Sequence, residues 1–179
     1  VNDNKKTWTN KQIVQRSCGK FRREWETSSM KEKSYTPENY PILRYGDVLL
    51  MLAEAENEAH QGPTDLAYEC INEIRQRAGI SKLEGLSYTD FQQAVRDERA
   101  RELCFESLRK YDLVRWGIYV EAVHDKLGAA TQDKRWATGN QFIGARDYAA
   151  RTQEKHQFLP IPTKELDVNG KLEQNKYWQ

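Results

Sequence analysis

Two glutamates on the apolar face of a predicted helix constrain the fold of this chain more than any other feature. The stretch DERARELCFESLRKYDLVRWG carries both, and at about 100° per residue Glu98 and Glu102 share an arc with Phe91, Val95 and Phe105. A carboxylate in such a position costs several kcal/mol unless a cation or hydrogen-bond donors compensate it. The sequence therefore predicts a fold that brings arginines from other helices to these glutamates.

The predicted partners are Arg44, Arg109 and Arg115, which lie near the ends of neighbouring predicted helices. An arginine can form a two-pronged hydrogen bond with a carboxylate, the arrangement in which buried charge is best tolerated. We expect such a structural ion-pair network to fix the register of the helices more than it adds stability. The alternative is the carboxylate pair of a glycosidase, but residues four apart on one buried helix face leave no room for a sugar ring between them.

Helical periodicity runs through the middle of the chain. ILRYGDVLLMLAEAENEA stops at Gly62-Pro63, and DLAYECINEIRQRAGI ends at Gly79, a residue that suits the end of a helix. The third pattern runs through DFQQAVRDERARELCFE, and the fourth continues past a kink near Gly117. The two resulting helix pairs are offset by about 45 residues, which predicts a mainly α, tetratricopeptide-like scaffold. Two repeats are fewer than such a scaffold needs, so we expect a larger body.

The sequence divides into three predicted regions. Residues 1–40 form a loop-rich lead-in, residues 41–127 hold the two helix pairs, and residues 128–179 form a long loop and an extended C-terminal docking segment. FLPIP favours extended backbone because two prolines restrict φ and cannot donate to a sheet. Loops as long as residues 128–157 are usually functional or packed against something.

Composition excludes several classes of function. With 28 basic and 27 acidic side chains the chain has no nucleic-acid footprint, and no apolar run is long enough to span a membrane. The three histidines, His60, His124 and His156, are not paired at metal-ligand spacing, and no nucleotide-binding glycine loop is present, so we expect no metal and no cofactor. We expect Cys70 and Cys104 to be buried thiols.

Four aromatic residues are weak candidates for ligand binding. Trp8, Trp25, Trp136 and Tyr148 stand in polar segments, where a flat ring can stack on a sugar face or a peptide. The alternative is that each ring anchors its own loop.

Several segments together resemble the SusD/RagB family. They are GKFRRE, TPENYPILRYGDVLLMLAEAENEA, AYECINEIRQRAGI, FQQAVRDERARELCFESLRKYDLVRWG and FLPIPTKELDVNGKLEQN, in the family's order. The sequence departs from the family pattern at Gly46, where alanine is usual, and at Ser107-Leu108, where a glycine-histidine pair is usual. A helical glycine costs about 1 kcal/mol relative to alanine.

The resemblance implies the C-terminal segment of a larger SusD-like fold, and a function. Members are surface lipoproteins of the bacterial outer membrane that bind nutrient oligomers without cleaving them, usually glycans and sometimes peptides. They pass the ligand to a SusC-like TonB-dependent transporter barrel. The lipid-bearing N-terminal cysteine of the family has no counterpart here, since Cys18 follows no apolar run. The alternatives are a peptide-binding member of the family and a general helical-repeat module for protein interaction.

Overall fold

The chain is helical, as the sequence predicts. The computed structural model describes residues 18–27, 37, 39–128 and 140–179, and over these residues it contains helices and turns but no strand. It divides into two compact units. The first unit covers residues 18–109, and the described part of the second covers residues 110–128 and 140–179.

The first helix, α1, spans Tyr45–His60. It ends where Gln61 takes a left-handed φ of 53°, immediately before the predicted stop at Gly62-Pro63. Ile42 belongs to the predicted helical pattern, but it precedes α1 and is 89% exposed. The helix therefore begins three residues later than its apolar periodicity suggests.

The second helix, α2, spans Asp65–Arg77. The Thr64 hydroxyl accepts a hydrogen bond from the Ala67 amide at 3.2 Å, which satisfies one of the free N–H groups at the start of the helix. Beyond its end, Gly79 has φ 73°, a conformation that glycine adopts without strain. The predicted end of this helix is confirmed.

The third helix, α3, spans Tyr88–Glu102 and is shorter than predicted. The sequence pattern continues it through Phe105 towards Ser107, but both residues have left-handed φ values, 64° and 61°. The chain reverses there, so Phe105 is 69% exposed and the thiol of Cys104 is exposed rather than buried. The apolar arc on which Phe105 was placed ends with the helix.

In the first unit, α1 packs against both α2 and α3. The rings of Tyr68 and Phe91 meet edge to face with centroids 5.0 Å apart, a favourable aromatic geometry. The buried core consists of Leu49, Leu50, Ala53, Ala67, Cys70, Ile71, Ile74, Phe91 and Val95. The prediction that Cys70 is a buried thiol is confirmed.

The connection between α2 and α3 is tied to α2 by side-chain hydrogen bonds. The Asn72 amide donates to the Leu83 carbonyl at 3.0 Å and accepts from the Leu83 amide at 2.8 Å. The Tyr68 hydroxyl accepts from the amide of Leu86 at 2.7 Å. The connection is therefore packed onto the helix although it has no regular structure.

The second unit is built from shorter helices. A bend at Gly117, with φ 70°, separates the first two, as the sequence predicts. The helices are α4 (Arg109–Arg115, beginning at the last residue of the first unit), α5 (Tyr119–Glu121, continuing as a π-helical turn over Ala122–Leu127), α6 (Asn140–Arg151) and α7 (Thr163–Val168). Single 3₁₀ turns occupy Glu154–Gln157 and Lys176–Trp178.

Helix α6 corrects the predicted loop over residues 128–157. Ala149 and Thr152 are 3% and 4% exposed, and Ala145 is half-buried, so small residues face the interior at helical spacing. α6 packs against the π-helical turn. Large apolar residues at helical spacing do not reveal this pattern, because the buried positions described from residue 144 onward are alanine and threonine.

The FLPIP segment follows an extended path held by two amide side chains. The Gln174 amide accepts from the Ile161 N–H at 2.8 Å and donates to the Ile161 carbonyl at 3.0 Å. Asn175 donates to the Leu159 carbonyl at 2.7 Å. These bonds replace the sheet partners that a proline-containing segment cannot have.

Candidate functional site

The two glutamates on α3 are each bound by two arginines. Arg75 donates to Glu98 at 2.7 Å and Arg101 at 3.4 Å, while Arg44 and Arg77 each donate to Glu102 at 2.5 Å. The carboxylate side chains are 4% and 11% exposed. Their charge is therefore compensated where they are buried.

Arg44 also binds a third carboxylate, that of Glu106 in the turn after α3. Its guanidinium donates to the two Glu106 oxygens at 2.8 and 2.9 Å, and Lys20 forms an ion pair with the same carboxylate. The Tyr40 hydroxyl donates to the Glu106 carbonyl at 2.6 Å. Residues before α1 thus hold the turn that ends α3.

The ion pairs change the acidity of the groups they join. Burial alone would raise the pKa of Glu102 and of Glu106, but the hydrogen bonds they accept outweigh it and both pKa values are lowered. The bonds come from Arg77 and Arg44 to Glu102, and from Arg44 and Lys20 to Glu106. The hydrogen bond to Glu106 in turn raises the pKa of Arg44 above its ordinary value. These groups stay charged at neutral pH.

The other predicted members of the network lie elsewhere. Arg109 donates to the Arg96 carbonyl at 3.1 Å, and Arg115 binds Asp112 at 3.0 Å within one helical turn. The sequence reasoning did not name Arg75 or Arg77, which face α3 from the last turn of α2. Nothing in the sequence distinguished them from other basic residues at a helix end, because the register of α2 against α3 depends on tertiary packing.

The strongest candidate for a binding site is an open cleft in the second unit. Its volume is about 440 Å³, within the range of small-ligand sites. Aromatic and apolar side chains form its walls, and charged side chains stand among them. The cleft is lined by Lys110, Tyr119, Asp147, Tyr148, Arg151, Thr152, His156, Phe158, Leu159, Pro160 and Trp178.

Trp178 is held firmly in the wall of this cleft. Its indole N–H donates to the carbonyls of Lys155 and Phe158 at 2.9 and 3.1 Å. The Lys155 ammonium lies 5.2 Å from the ring centroid, and the His156 ring meets the indole edge to face at 6.1 Å. The C-terminal 3₁₀ turn is therefore anchored to the turn that follows α6.

Two tyrosines share a hydrogen bond at the base of the cleft. Tyr119, at the start of α5, is 2% exposed, and its hydroxyl is bonded to that of Tyr148 on α6. Burial, and then this bond, raise the pKa of Tyr119 to about 12, so the phenol stays protonated. Tyr148 is 50% exposed, which leaves part of its ring open to a ligand.

The side chains of the cleft are suited to bind a ligand by ring stacking and hydrogen bonds. Half-exposed rings can stack on an apolar ligand face, and hydroxyl and charged groups can bind polar substituents. In the part of the chain that the structure describes, no three histidine, cysteine or acidic side chains form a group that could hold a metal ion. None of the described helices is both long and apolar enough to cross a membrane.

The four aromatic candidates from the sequence have different positions. Tyr148 lies in the cleft, whereas Trp25 lies in the first unit, is 61% exposed and has the Arg22 guanidinium 5.5 Å from its ring. Trp8 and Trp136 fall outside the described residues. The structure adds Tyr119, Phe158 and Trp178 to the cleft, and nothing in their local sequence distinguished them from core or loop anchors.

Comparisons with known proteins agree on one family. A profile of the SusD family matches residues 2–178. SusD-like protein P25 of Formosa agariphila is 40% identical over 139 residues, which are 75% of this chain and 23% of that protein.

Solved structures give the same result. A SusD homolog from Bacteroides thetaiotaomicron has a TM-score of 0.62 at 39% identity, over 75% of this chain and 26% of that one. A SusD superfamily protein from Bacteroides vulgatus has a TM-score of 0.55 at 30% identity, over 76% of this chain and 27% of the other. The chain thus spans about a quarter of the length of these relatives. With a family profile that covers nearly all of its residues, the chain belongs to the SusD family.

Proposed function

We propose that this chain serves the non-catalytic binding of nutrient oligosaccharides at the bacterial cell surface. The observation that carries the proposal is the match of residues 2–178 to the SusD family, whose resemblance implies nutrient binding. The cleft of the second unit supports it with a half-exposed tyrosine, a fixed tryptophan wall and polar groups between them. This is the composition expected of a surface that binds a sugar by its apolar face and its hydroxyls.

An oligosaccharide fits the described residues better than a peptide does. Extended peptides are commonly bound by adding a strand to a sheet edge, and residues 18–27, 37, 39–128 and 140–179 contain no strand to extend. The cleft offers ring faces instead, led by Tyr148. A peptide ligand is the alternative within the same family.

The buried carboxylates argue against an enzymatic function. A general acid of a glycosidase needs a raised pKa, but the pKa of Glu102 is lowered by its arginines. Glu98 is only 4% exposed and is bound by Arg75 and Arg101, so no substrate reaches it. Both glutamates fit a structural network.

The proposal includes a location and a partner. The resemblance to SusD/RagB proteins implies a lipid-anchored protein on the outer membrane and a SusC-like TonB-dependent transporter barrel that receives the ligand. A ligand bound in an open cleft on a surface protein can be released to such a transporter without a chemical step.

A second candidate is a helical-repeat module that binds another protein. The apolar side chains on and before α1 favour it, because several are exposed in the first unit: Ile42, Leu43, Tyr45, Val48, Met51 and Leu52. Such a row is typical of a surface that another polypeptide covers.

Isolation of the natural protein from its membrane tests the location and the partner. The outer membrane of the source bacterium is extracted with mild detergent, and the complex is weighed by intact mass spectrometry. We expect a lipid-bearing chain together with a much larger barrel protein. A chain of 21.0 kDa that is recovered without lipid or barrel would contradict the proposed location and favour the interaction module.

A further inference from the structure

Two cations line the aromatic cleft without acidic partners. Lys110 and Arg151 are both exposed. Among the described residues, no carboxylate oxygen lies within 4.0 Å of the side-chain nitrogens of either residue. The Lys110 ammonium lies 5.4 Å from the Tyr119 ring centroid, so it is held over the base of the cleft. Both charges are available to a ligand.

The remaining polar groups do not cancel this positive charge. Among the described residues Asp147 is the one acidic side chain that lines the cleft, and it lies 3.8 Å from Arg146, which is not part of that lining. The Nδ1 atom of His156 accepts a hydrogen bond from the Gln153 N–H at 2.9 Å, so this atom is already bonded within the chain. Among the lining residues that the structure describes, two cations and one anion give a formal charge of +1.

The apolar part of the lining lies beside these charges. Leu159 is 81% exposed, Phe158 is 52% exposed and Tyr148 is 50% exposed. A ligand that fits must therefore present an apolar face to these side chains and an anionic group to the two cations. A neutral sugar would contact the apolar side chains but would leave the two cations without an anionic partner.

We infer that the cleft binds an anionic oligosaccharide, a glycan whose sugars carry carboxylate or sulfate groups. The apolar face of a sugar ring lies against Tyr148 and the Phe158-Leu159 segment, and the oxyanion is bound by Arg151 and Lys110. Arginine binds planar oxyanions with two parallel hydrogen bonds, whereas lysine adds a compact point charge. The inference rests on the proposed function, since it specifies the class of nutrient.

The test compares charged oligosaccharides with neutral matches. Tetramers of galacturonate, of mannuronate and of sulfated galactose are titrated into the natural full-length protein by calorimetry, each beside its methyl-esterified or desulfated match. We expect at least one charged tetramer to bind about tenfold or more tightly than its match, because a charge-assisted hydrogen bond contributes this much. The affinity for the charged tetramer decreases as the salt concentration is raised from about 0.05 to about 0.5 M. Comparison of the uronates with the sulfated tetramer identifies which oxyanion is preferred.

Single substitutions locate the binding. Arg151→Gln and Lys110→Met each weaken binding of the charged tetramer about tenfold and weaken binding of the neutral match much less. Lys164→Met on α7 is the matched control for Lys110→Met, because it removes an exposed lysine charge from the same unit outside the cleft. Circular dichroism confirms that the variants are folded.

The contrary outcomes distinguish an error in the anionic class, in the site or in the proposed function. If neutral tetramers bind as tightly as charged ones, the anionic class is wrong and the proposed function stands. If Lys164→Met weakens binding as much as Lys110→Met does, the anion is attracted by general charge and the cleft is not its site. If no tetramer binds, charged or neutral, both the inference and the oligosaccharide proposal fail.

Discussion

Among single residues, Arg44 joins two acidic side chains of the first unit, Glu102 and Glu106. It binds Glu102 and both oxygens of Glu106, and it stands one residue before α1. Gly46 explains part of this closeness, since a Cβ there would lie 2.7 Å from the Arg44 guanidinium. Gly46 therefore lowers the helix propensity of α1, but it leaves room for the ion pair between Arg44 and Glu102.

Removing the charge of Glu106 should destabilise the protein markedly. We expect Glu106→Gln to lower the free energy of unfolding by about 2–3 kcal/mol, because the partly buried cations Arg44 and Lys20 lose the anion that they share and Arg44 keeps Glu102. Urea denaturation measures the change. Asp97→Asn is the control: its pair with Arg101 is exposed and 4.0 Å long, so it should change stability by less than about 0.5 kcal/mol. Equal effects of the two substitutions would contradict the structural role of the network.

The same carboxylates predict the response to acid. Glu102 and Glu106 have lower pKa values in the folded protein than the ordinary 4.5, so the unfolded chain binds protons more readily. Their contribution is complete above about pH 4.5 and is lost as the pH falls through their lowered folded values. We expect the urea midpoint to change little between about pH 7 and 5, and then to fall. Glu106→Gln should make that fall shallower, and an unchanged pH profile in the variant would contradict the assignment.

Ser107 should carry backbone strain that glycine would relieve. Its φ of 61° lies in the left-handed region, and its side chain is exposed. We expect Ser107→Gly to raise the free energy of unfolding by up to about 1 kcal/mol, measured by urea denaturation. Ser107→Ala keeps the strain and should give no gain. A destabilised glycine variant would contradict this interpretation.

The sequence predicted the need for a network but not its full membership. The helical wheel correctly identified Glu98 and Glu102 as carboxylates that need cations, because periodicity determines which side a residue faces. It could not identify Arg75 or Arg77 as partners, since the register between two helices depends on tertiary packing. Phe105 and Cys104 were misplaced because a left-handed turn in non-glycine residues has no clear sequence signal.

At the level of helices and their connections, the spacing of large apolar residues predicted helices correctly, whereas helical contacts made by small residues were missed. The ends of α1 and α2 were predicted correctly from Gly62-Pro63 and Gly79, whose backbone preferences are strong. Helix α6 was missed because the buried positions among its described side chains and just after its end are alanine and threonine. The cleft depends on α6 for Tyr148 and Arg151, so most of the candidate site could not be predicted from the sequence.

The connection between α2 and α3 should depend on one side chain. Asn72 is 8% exposed and makes both hydrogen bonds to Leu83. We expect Asn72→Ala to destabilise the protein by about 2 kcal/mol and to speed exchange of the Leu83 amide proton, since buried polar groups lose their partners. Gln93→Ala is the control, because its exposed bond to Asp97 should matter little. If the exchange of the Leu83 amide is unchanged, Asn72 does not hold the connection.

At the scale of the whole molecule, the fold class and the family followed from the sequence, whereas the binding surface required the structure. The order of several motifs was enough to indicate the SusD/RagB family, and the profile match over residues 2–178 confirms it. The aromatic candidates could not be ranked, because stacking depends on which rings converge in space. Tyr148 meets Tyr119 and Trp178 around one cleft, although these residues are far apart in the sequence.

The central claim is that this protein binds oligosaccharides and does not cleave them. The most direct measurement is a calorimetric titration of the natural full-length protein with a panel of oligosaccharides, followed by chain-length analysis of the recovered ligand. Tyr148→Ala serves as the variant that removes a wall of the cleft. We expect saturable binding, ligand recovered at its original length, and an affinity weakened about tenfold in the variant. Shortened ligand would show catalysis, and the absence of any saccharide binding beside a stable protein complex would establish an interaction module instead.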